Sequence, residues 1–508
     1  MVIGDIIRRN AKRFPEKTAL IFEETSYTFK ELNERANSLA NGFLNLGHKK
    51  GDKVVIIADN CHQHVEVFCA VAKSGMASMS INPFLPIKDL IHIIRNIEAN
   101  TLIFHPKYRD IVDSLQGELN NLKNFITIGD SEGSEINYEK FILSYESKEP
   151  DISVNEHDEL IIVNSGGTTG LPKQIVHTHK SSLALALNGL FAFQATQDDT
   201  VLMFIPFFWA APIPYFVFSH FYVGGSCVIS GGMTPKPFLE AIEKGRATNT
   251  AVATPFMIEL LDYPDLEKYD ISNMRFIGFA GTPLPTEILK RVIKVFGNVF
   301  GNMFGLAECG PIACMRPNEV NMEGPPEELK KLQSCGREAL NAEIRIIDDY
   351  GEDISPDEFG EVIVKSDSIM KEYLKAPQAT EQAIRDGWLY TGDIATIDDD
   401  GYIYIQGRKK DMITTSGESV MASEVEDIIH HEPSVKEAAV IGVPDEDLGE
   451  AVKAVIVMRE GEELIEEEVI ELCKKNLPDF AVPKFVEFVT ELPKSAVGKI
   501  LKHKLSLS

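Results

Sequence analysis

Up to about residue 310, the hydrophobic positions fall into short unbroken runs separated by stretches of helical spacing. KVVIIAD at 53–59 reads as a buried strand, and the segment from His62 to Ser74 follows with helical character. ASMSINP at 77–83 is strand-like again and stops at a proline. TLIF at 101–104 and FITIGD at 125–130 continue the alternation, and LIIVNSGGTTG at 160–170 is a strand that runs into a glycine-rich turn. Strands alternating with helices predict a parallel α/β sheet.

The pattern changes after about Ser334. EIRIIDDYGED reads as strand, turn, strand, and GEVIVKS at 360–366 as a further strand. WLYTGDIATIDDDGYIYIQGR at 388–408 reads as a hairpin turning at DDDG. The charged run Arg408-Lys409-Lys410-Asp411 marks a boundary. Beyond it, Ser423 with Glu426 forms a capping-box pattern ahead of EVEDIIHH. VKEAAVIGV and AVKAVIVM are strands, and EEEVIELCKKNL is a helix with acid first and base last, the order its dipole favours. The expected fold is α/β. A large N-terminal region of doubly wound sheets spans 1–406 and turns β-rich from about 334. A hinge at 407–410 then leads to a small α+β C-terminal domain at 411–508.

The 508 residues give room for about three domain-sized units, so the core needs no disulfide or metal staple. The formal net charge of −27 repels nucleic acid and anionic membranes, although a local site for a small polyanion can oppose it. Seven cysteines, odd in number, scattered and without a CxxC, do not make a disulfide framework or a zinc ribbon, and fit a reducing compartment. The start, MVIGDIIRRNAKRFPEK, lacks the apolar segment of a secretory signal. The most apolar stretch, Phe204 to Phe218, is shorter than the ~20 residues of a spanning helix and contains three prolines. A cytoplasmic protein without a membrane span is expected.

Four stretches carry candidate chemistry. Ser165-Gly166-Gly167-Thr168-Thr169-Gly170-Leu171-Pro172-Lys173 combines glycines that aim backbone N–H groups at one point, hydroxyl donors and a compact cation. That inventory suits a polyphosphate, yet neither the GxxxxGK[ST] nor the GxGxxG spacing occurs. Thr391-Gly392-Asp393 places a carboxylate where it can accept both hydroxyls of a ribose; alone it also fits a β-turn. Glu308, in Phe304-Gly305-Leu306-Ala307-Glu308, could hold Mg²⁺ through oxygen or be a solvated surface group. Lys499, after Gly498 near the C-terminus, could reach a distant site or be an ordinary exposed lysine. The pairs His62/His64, His177/His179 and His430/His431 lack a clustered third ligand and are read as structural.

Taken in this order, the stretches resemble the adenylate-forming (AMP-binding) superfamily, and stand-alone acyl-CoA synthetases most of all. The resemblance runs from about Ile6 to Lys502 and includes Ala280-Gly281-Thr282-Pro283-Leu284, Gly360-Glu361, Gly407-Arg408 and the run Gly417 to Glu426. It implies a two-step ligase. A carboxylate attacks the α-phosphate of Mg·ATP to give acyl-adenylate and pyrophosphate, and a thiol then takes the acyl group, releasing AMP. It implies that the loop formed by Ser165, Gly166, Gly167, Thr168, Thr169, Gly170 and Lys173 cradles the phosphates. Gly281, Thr282, Pro283, Phe304 and Gly305 flank the nucleotide, Glu308 holds Mg²⁺, and Asp393 with Arg408 holds the ribose. Lys499 bridges the reacting oxygens, Lys410 is the pivot on which a mobile C-terminal lid swaps faces, and Gly417 lines the tunnel for coenzyme A.

Phe208, Trp209 and Gly305 are expected to line the acyl pocket. No acidic residue occurs between Phe207 and Tyr215 to pair a substrate ammonium, which disfavours an α-amino acid and leaves a fatty or aryl acid. Four positions depart from the family pattern: Gly166 stands where Ser is usual, Gln174 where Gly is usual, Ala307 where Thr is usual and Trp209 where His is common. Two other readings stay open, a stand-alone acyl-AMP ligase that loads a carrier protein and a non-catalytic nucleotide-binding relative. A carrier protein and a second copy of the chain, as a homodimer, are the macromolecular partners left open.

Overall fold

The computed structural model describes the chain except residues 131–132, 166–170, 210–211, 281–285, 357, 446, 495–499 and 506–508. The chain forms two compact units. One is built from residues up to Ser165, Pro172–Ile344 and Val364–Leu389, and the other from Arg345–Ile363 and from Tyr390 onward.

The first unit contains two large sheets. The eight-stranded sheet has the order Glu372–Tyr373, Gln174–Thr178, Glu159–Asn164, Ala77–Ser80, Lys53–Ile57, Thr101–Phe104, Asn124–Thr127, Ile136–Asn137. From Glu159–Asn164 onward the pairings are parallel, and the two at the Gln174–Thr178 side are antiparallel. The nine-stranded sheet runs parallel from Phe300–Leu306 through Phe276–Ala280, Asn249–Val252, Thr200–Met203 and Ser226–Ile229 to Thr18–Phe22, with antiparallel strands at both edges. The expected alternation of parallel strands with helices is therefore present.

Burial on both faces explains why the strands read as unbroken apolar runs. Val54 and Ile56 enter one core, while Val55 and Ile57 enter another across the same sheet. Likewise Val201 and Met203 face the core shared with the first sheet, and Leu202 and Phe204 face away from it. The helix His62–Ser74 is buried along its whole length, polar residues included. Its Glu66 takes two hydrogen bonds from Arg35, at 2.8 and 3.0 Å, and one each from His62 and Tyr138. Burial pushes the Glu66 carboxyl up, but His62 and Arg35 outweigh it and hold the group below its ordinary value.

In the second unit, the hairpin expected at DDDG is present. Its first strand is the part of Trp388–Ile397 from Tyr390 on, and its second is Ile403–Arg408. A sheet of order Glu418–Met421, Met412–Thr415, Gly449–Met458, Val435–Asp445, with Phe485–Phe488 also on Gly449–Met458, carries the helices Ala422–His430 and Glu466–Asn476. The capping box is not formed. The helix begins at Ala422, and its N-cap Met421 makes no side-chain cap bond. Ser423 Oγ donates instead to the Gln406 carbonyl. Glu426 accepts from the Val440 N–H at 2.7 Å and pairs with Lys502 at 2.7 Å. Tertiary partners thus claimed both side chains that the pattern had assigned to the helix end. Among the described residues, no helix is long and apolar enough to cross a membrane.

Candidate active site

The glycine-rich stretch leaves strand Glu159–Asn164 and returns as strand Gln174–Thr178, paired antiparallel with it. Its base is closed by two hydrogen bonds. The Ser165 N–H donates to the Lys173 carbonyl at 2.8 Å, and the Lys173 N–H donates to Ser165 Oγ at 3.0 Å. Below them, buried Gln174 donates from Nε2 to the Pro172 carbonyl at 2.7 Å and accepts from Asn96 at 2.5 Å. The residue that departs from the family pattern therefore braces the loop's return. Gly166, Gly167, Thr168, Thr169 and Gly170 lie outside the described residues, as do Gly281, Thr282, Pro283 and Lys499.

Glu308 occupies the turn between antiparallel strands Phe300–Leu306 and Gly310–Met315, where Leu306 pairs with Gly310. The register shifts between Phe304 and Gly305, and a Cβ at Gly305 would stand 2.0 Å from the Gly310 carbonyl oxygen. Glycine is required there by the close approach of the two strands. The turn is held from outside. The Met370 N–H donates to the Glu308 carbonyl at 2.6 Å, and His177 Nε2 donates to the Ala307 carbonyl at 2.9 Å. Burial holds the His177 imidazole down at about 4, so it is neutral and carries its proton on Nε2.

Tyr373 joins the two parts. It sits on strand Glu372–Tyr373, opposite Ile175 of the strand that leaves Lys173. Its phenol donates to Glu308 Oε1 at 2.7 Å, and the Lys173 ammonium lies 4.5 Å from its ring centroid. Ser165 is bonded to the Lys173 backbone, and Lys173 and Glu308 thus meet at one side chain that the motifs did not single out. Its signal in the sequence is faint, because nothing in Glu372-Tyr373-Leu374 reveals which strand it pairs with. Phe304 packs beside the cluster of Cys309, Ile312, Val364 and Leu389, next to the same turn.

Of the three candidate acyl residues, Gly305 lies on the strand beside Glu308, while Phe208 and Trp209 lie on another loop of this unit. Asn60 fixes it, donating to the Phe204 and Ile205 carbonyls and accepting from the Phe207 N–H. Phe207 stacks on His64 at 4.9 Å, Phe208 meets Phe84 edge-on at 6.5 Å, and the backbone N–H of Trp209 donates to the Pro206 carbonyl at 3.0 Å. Among the described residues, neither Phe208 nor Trp209 has a hydrogen bond or ring contact to the Glu308 group.

In the second unit, Asp393 and Arg408 are cross-strand partners, with Nε 2.9 Å from Oδ1. Arg408 also donates to the Thr391 carbonyl at 3.0 Å, and Thr391 Oγ1 takes the Asp393 N–H at 3.0 Å while donating to Val362. Thr-Gly-Asp is therefore part of a strand, fixed at both ends, with the carboxylate almost wholly buried. Lys410 lies exposed in the 3₁₀ turn Lys409–Asp411, whose first lysine pairs with Asp349 and Glu361. Gly417, with φ of +82°, forms the two-residue turn between Thr415 and Glu418, and nothing within 4 Å would meet its Cβ. The hairpin itself asks for glycine there.

Residues 7–374 match the AMP-binding enzyme family, and residues 424–499 match the AMP-binding enzyme C-terminal domain. The chain belongs to the AMP-binding enzyme family. A feruloyl-CoA synthase of Amycolatopsis sp. is 30% identical over 496 residues, spanning 97% of this chain and 96% of its own. The long-chain-fatty-acid–CoA ligase FadD13 of Mycobacterium tuberculosis is 30% identical over 504 residues, spanning 98% and 97%. Among solved structures, the anthranilate CoA ligase AuaEII in complex with anthranoyl-AMP superposes with a TM-score of 0.87 at 26% identity, covering 99% of this chain and 96% of that one. The expected character of an adenylate-forming acid–thiol ligase is borne out by that membership and these relatives.

Proposed function

We propose that this chain activates a fatty or aryl carboxylic acid with Mg·ATP and passes the acyl group to coenzyme A. The observation that carries this reading is the meeting of Lys173 and Glu308 at Tyr373, at the foot of the glycine-rich stretch that the Ser165–Lys173 hydrogen bonds close. Lys173 meets the phosphates as a point charge, and the Ser165 hydroxyl holds the loop end in register. Glu308 holds Mg²⁺. One of its oxygens takes the Tyr373 phenol and the other is a hard donor suited to an ion that prefers oxygen and keeps phosphate partners. When bound, the ion offsets charge on the phosphates.

Asp393 accepts the ribose hydroxyls, with Arg408 fixing its orientation. Lys499 offsets the meeting of two anions in the first step, the carboxylate and the α-phosphate. The residues at 407–410 form the hinge, with Lys410 its pivot, and Gly417 lines the tunnel for the thiol in the second step. An apolar acid is supported by the edge-on pair of Phe208 and Phe84 and by the absence of an acidic residue from Phe207 to Tyr215. Seven buried free cysteines fit a reducing, cytoplasmic setting.

The test is mass spectrometry of the products formed from Mg·ATP, coenzyme A and a panel of fatty and aryl acids. An acyl-CoA is expected. Acyl-adenylate without thioester would move the acceptor to a carrier protein, and no product from any acid would leave a non-catalytic nucleotide-binding protein. Acid-dependent pyrophosphate exchange that survived in Lys499→Ala would remove that lysine from the chemistry.

A further inference from the structure

Lys173 and Glu308 carry opposite charges and both touch Tyr373, yet among the described residues neither makes an ion pair. The ammonium rests on the ring face and the carboxylate binds the phenol. We propose that Tyr373 is a positioning residue that anchors this cation and this carboxylate separately, so that neither neutralises the other before the nucleotide arrives. The inference rests on the function proposed above, and it concerns residues of this chain rather than any bound group.

The chemistry of a tyrosine suits the task. Its π face attracts a cation without removing the ammonium's charge or its remaining donors. Its hydroxyl fixes one oxygen of a carboxylate through a charge-assisted bond and leaves the second oxygen unused. A direct Lys–Glu pair would have to be broken when phosphate and metal enter, whereas these two contacts need not be. Tyr373 is itself firmly placed. It is buried, its N–H donates to Thr380 Oγ1 at 3.0 Å, and its strand is paired with Gln174–Thr178. Separation in sequence hides the arrangement, since Tyr373 and Glu308 are 65 positions apart.

The two anchoring contacts can be removed one at a time. Tyr373→Phe keeps the ring and deletes the hydroxyl, while Tyr373→Leu deletes both. Binding of a non-hydrolysable ATP analogue would be measured by calorimetry across a Mg²⁺ titration and again in EDTA. The Phe variant should need about 10-fold more Mg²⁺ for half-saturation, as loss of a hydrogen bond to a charged group implies, with metal-free binding unchanged. The Leu variant should show the same metal defect and also lose about 3-fold or more in metal-free binding, through Lys173. Equal loss with and without Mg²⁺ in the Phe variant, or no change in either, would overturn the proposal. So would failure of the Phe variant to fold, because the hydroxyl would then belong to the fold and not to the site. Absence of analogue binding by the unaltered protein would instead overturn the function on which the inference rests.

Discussion

His177 Nε2 donates to the Ala307 carbonyl at 2.9 Å, so a buried histidine supports the backbone of the turn that presents Glu308. Deleting that donor frees the turn on one side while leaving every charged group of the site in place. His177→Ala should lower the rate of acid-dependent pyrophosphate exchange by about 10- to 100-fold, the scale set by displacing a reacting group through roughly an ångström. His177→Gln, which can still donate, should recover much of that loss. Equal activity in the Ala variant and the unaltered protein would show that Met370 alone holds the turn.

Asp393 is buried and paired with Arg408, an arrangement that fixes the aim of its carboxylate. If it accepts the ribose hydroxyls, Asp393→Ala should raise the KM for ATP by about 10- to 100-fold, as expected for hydrogen bonds to a charged acceptor. Discrimination supplies the sharper measurement. The unaltered enzyme should prefer ATP over 2′-deoxy-ATP, and the Ala variant should lose that preference. A preference that survives would place the ribose contact elsewhere.

What was legible in the sequence was what local chemistry decides. Runs such as KVVIIAD announced strands because both faces of their sheets are buried, and the turn DDDG announced its hairpin. Ser423 and Glu426 misled because tertiary partners, Gln406, Val440 and Lys502, outbid the helix end for their hydrogen bonds. Tyr373 and His177 stayed hidden for a related reason. Each meets the turn that presents Glu308 across a long stretch of chain, His177 at the Ala307 carbonyl and Tyr373 at the carboxylate, through side-chain contacts that no local pattern encodes. Gln174 could be seen as a departure, but its brace to Pro172 and Asn96 needed the fold.

Gly305 offers a test of the hairpin itself. A Cβ there would stand 2.0 Å from the Gly310 carbonyl oxygen, which is backbone and cannot swing aside. Gly305→Ala should cost about 1–3 kcal/mol or more of stability, the usual range for overpacking, and should displace Glu308 with the turn. A lowered unfolding midpoint together with reduced pyrophosphate exchange is the expected pair of results. Reduced exchange at an unchanged midpoint would instead mark Gly305 as a contact for substrate.

Lys410 stands in a 3₁₀ turn, where φ lies near the value a proline ring enforces. Lys410→Pro fixes φ at this position and disfavours helical backbone at Lys409, so it should restrict rotation of the chain at the turn. With the hinge at this residue, adenylate formation should be nearly unchanged while thioester formation falls by a factor of about 10 or more, the two half-reactions being measured by pyrophosphate exchange and acyl-CoA release. Equal loss of both would count against a pivot at this position.

Stability should fall as the solution is acidified below neutrality. Burial holds the imidazoles of His64, His177, His179 and His220 down at about 4, against an ordinary value of 6.5. Between those limits the unfolded chain takes up protons that the folded chain refuses, so folding is favoured by rising pH and weakened by falling pH. Each histidine contributes at most about 1.4 kcal/mol per pH unit, fully lost only as the pH reaches the folded value. Burial raises the carboxyls of Glu424 and Asp427, which opposes this trend in the carboxylate range. Chemical unfolding at pH 7, 6 and 5 should show a midpoint that declines at each step. His179→Asn keeps an acceptor for the Ile3 N–H, now bonded to Nδ1, but cannot titrate. Its midpoint should decline less steeply over the same steps. An unchanged slope would mean that His179 takes up its proton in the folded protein as readily as in the unfolded one.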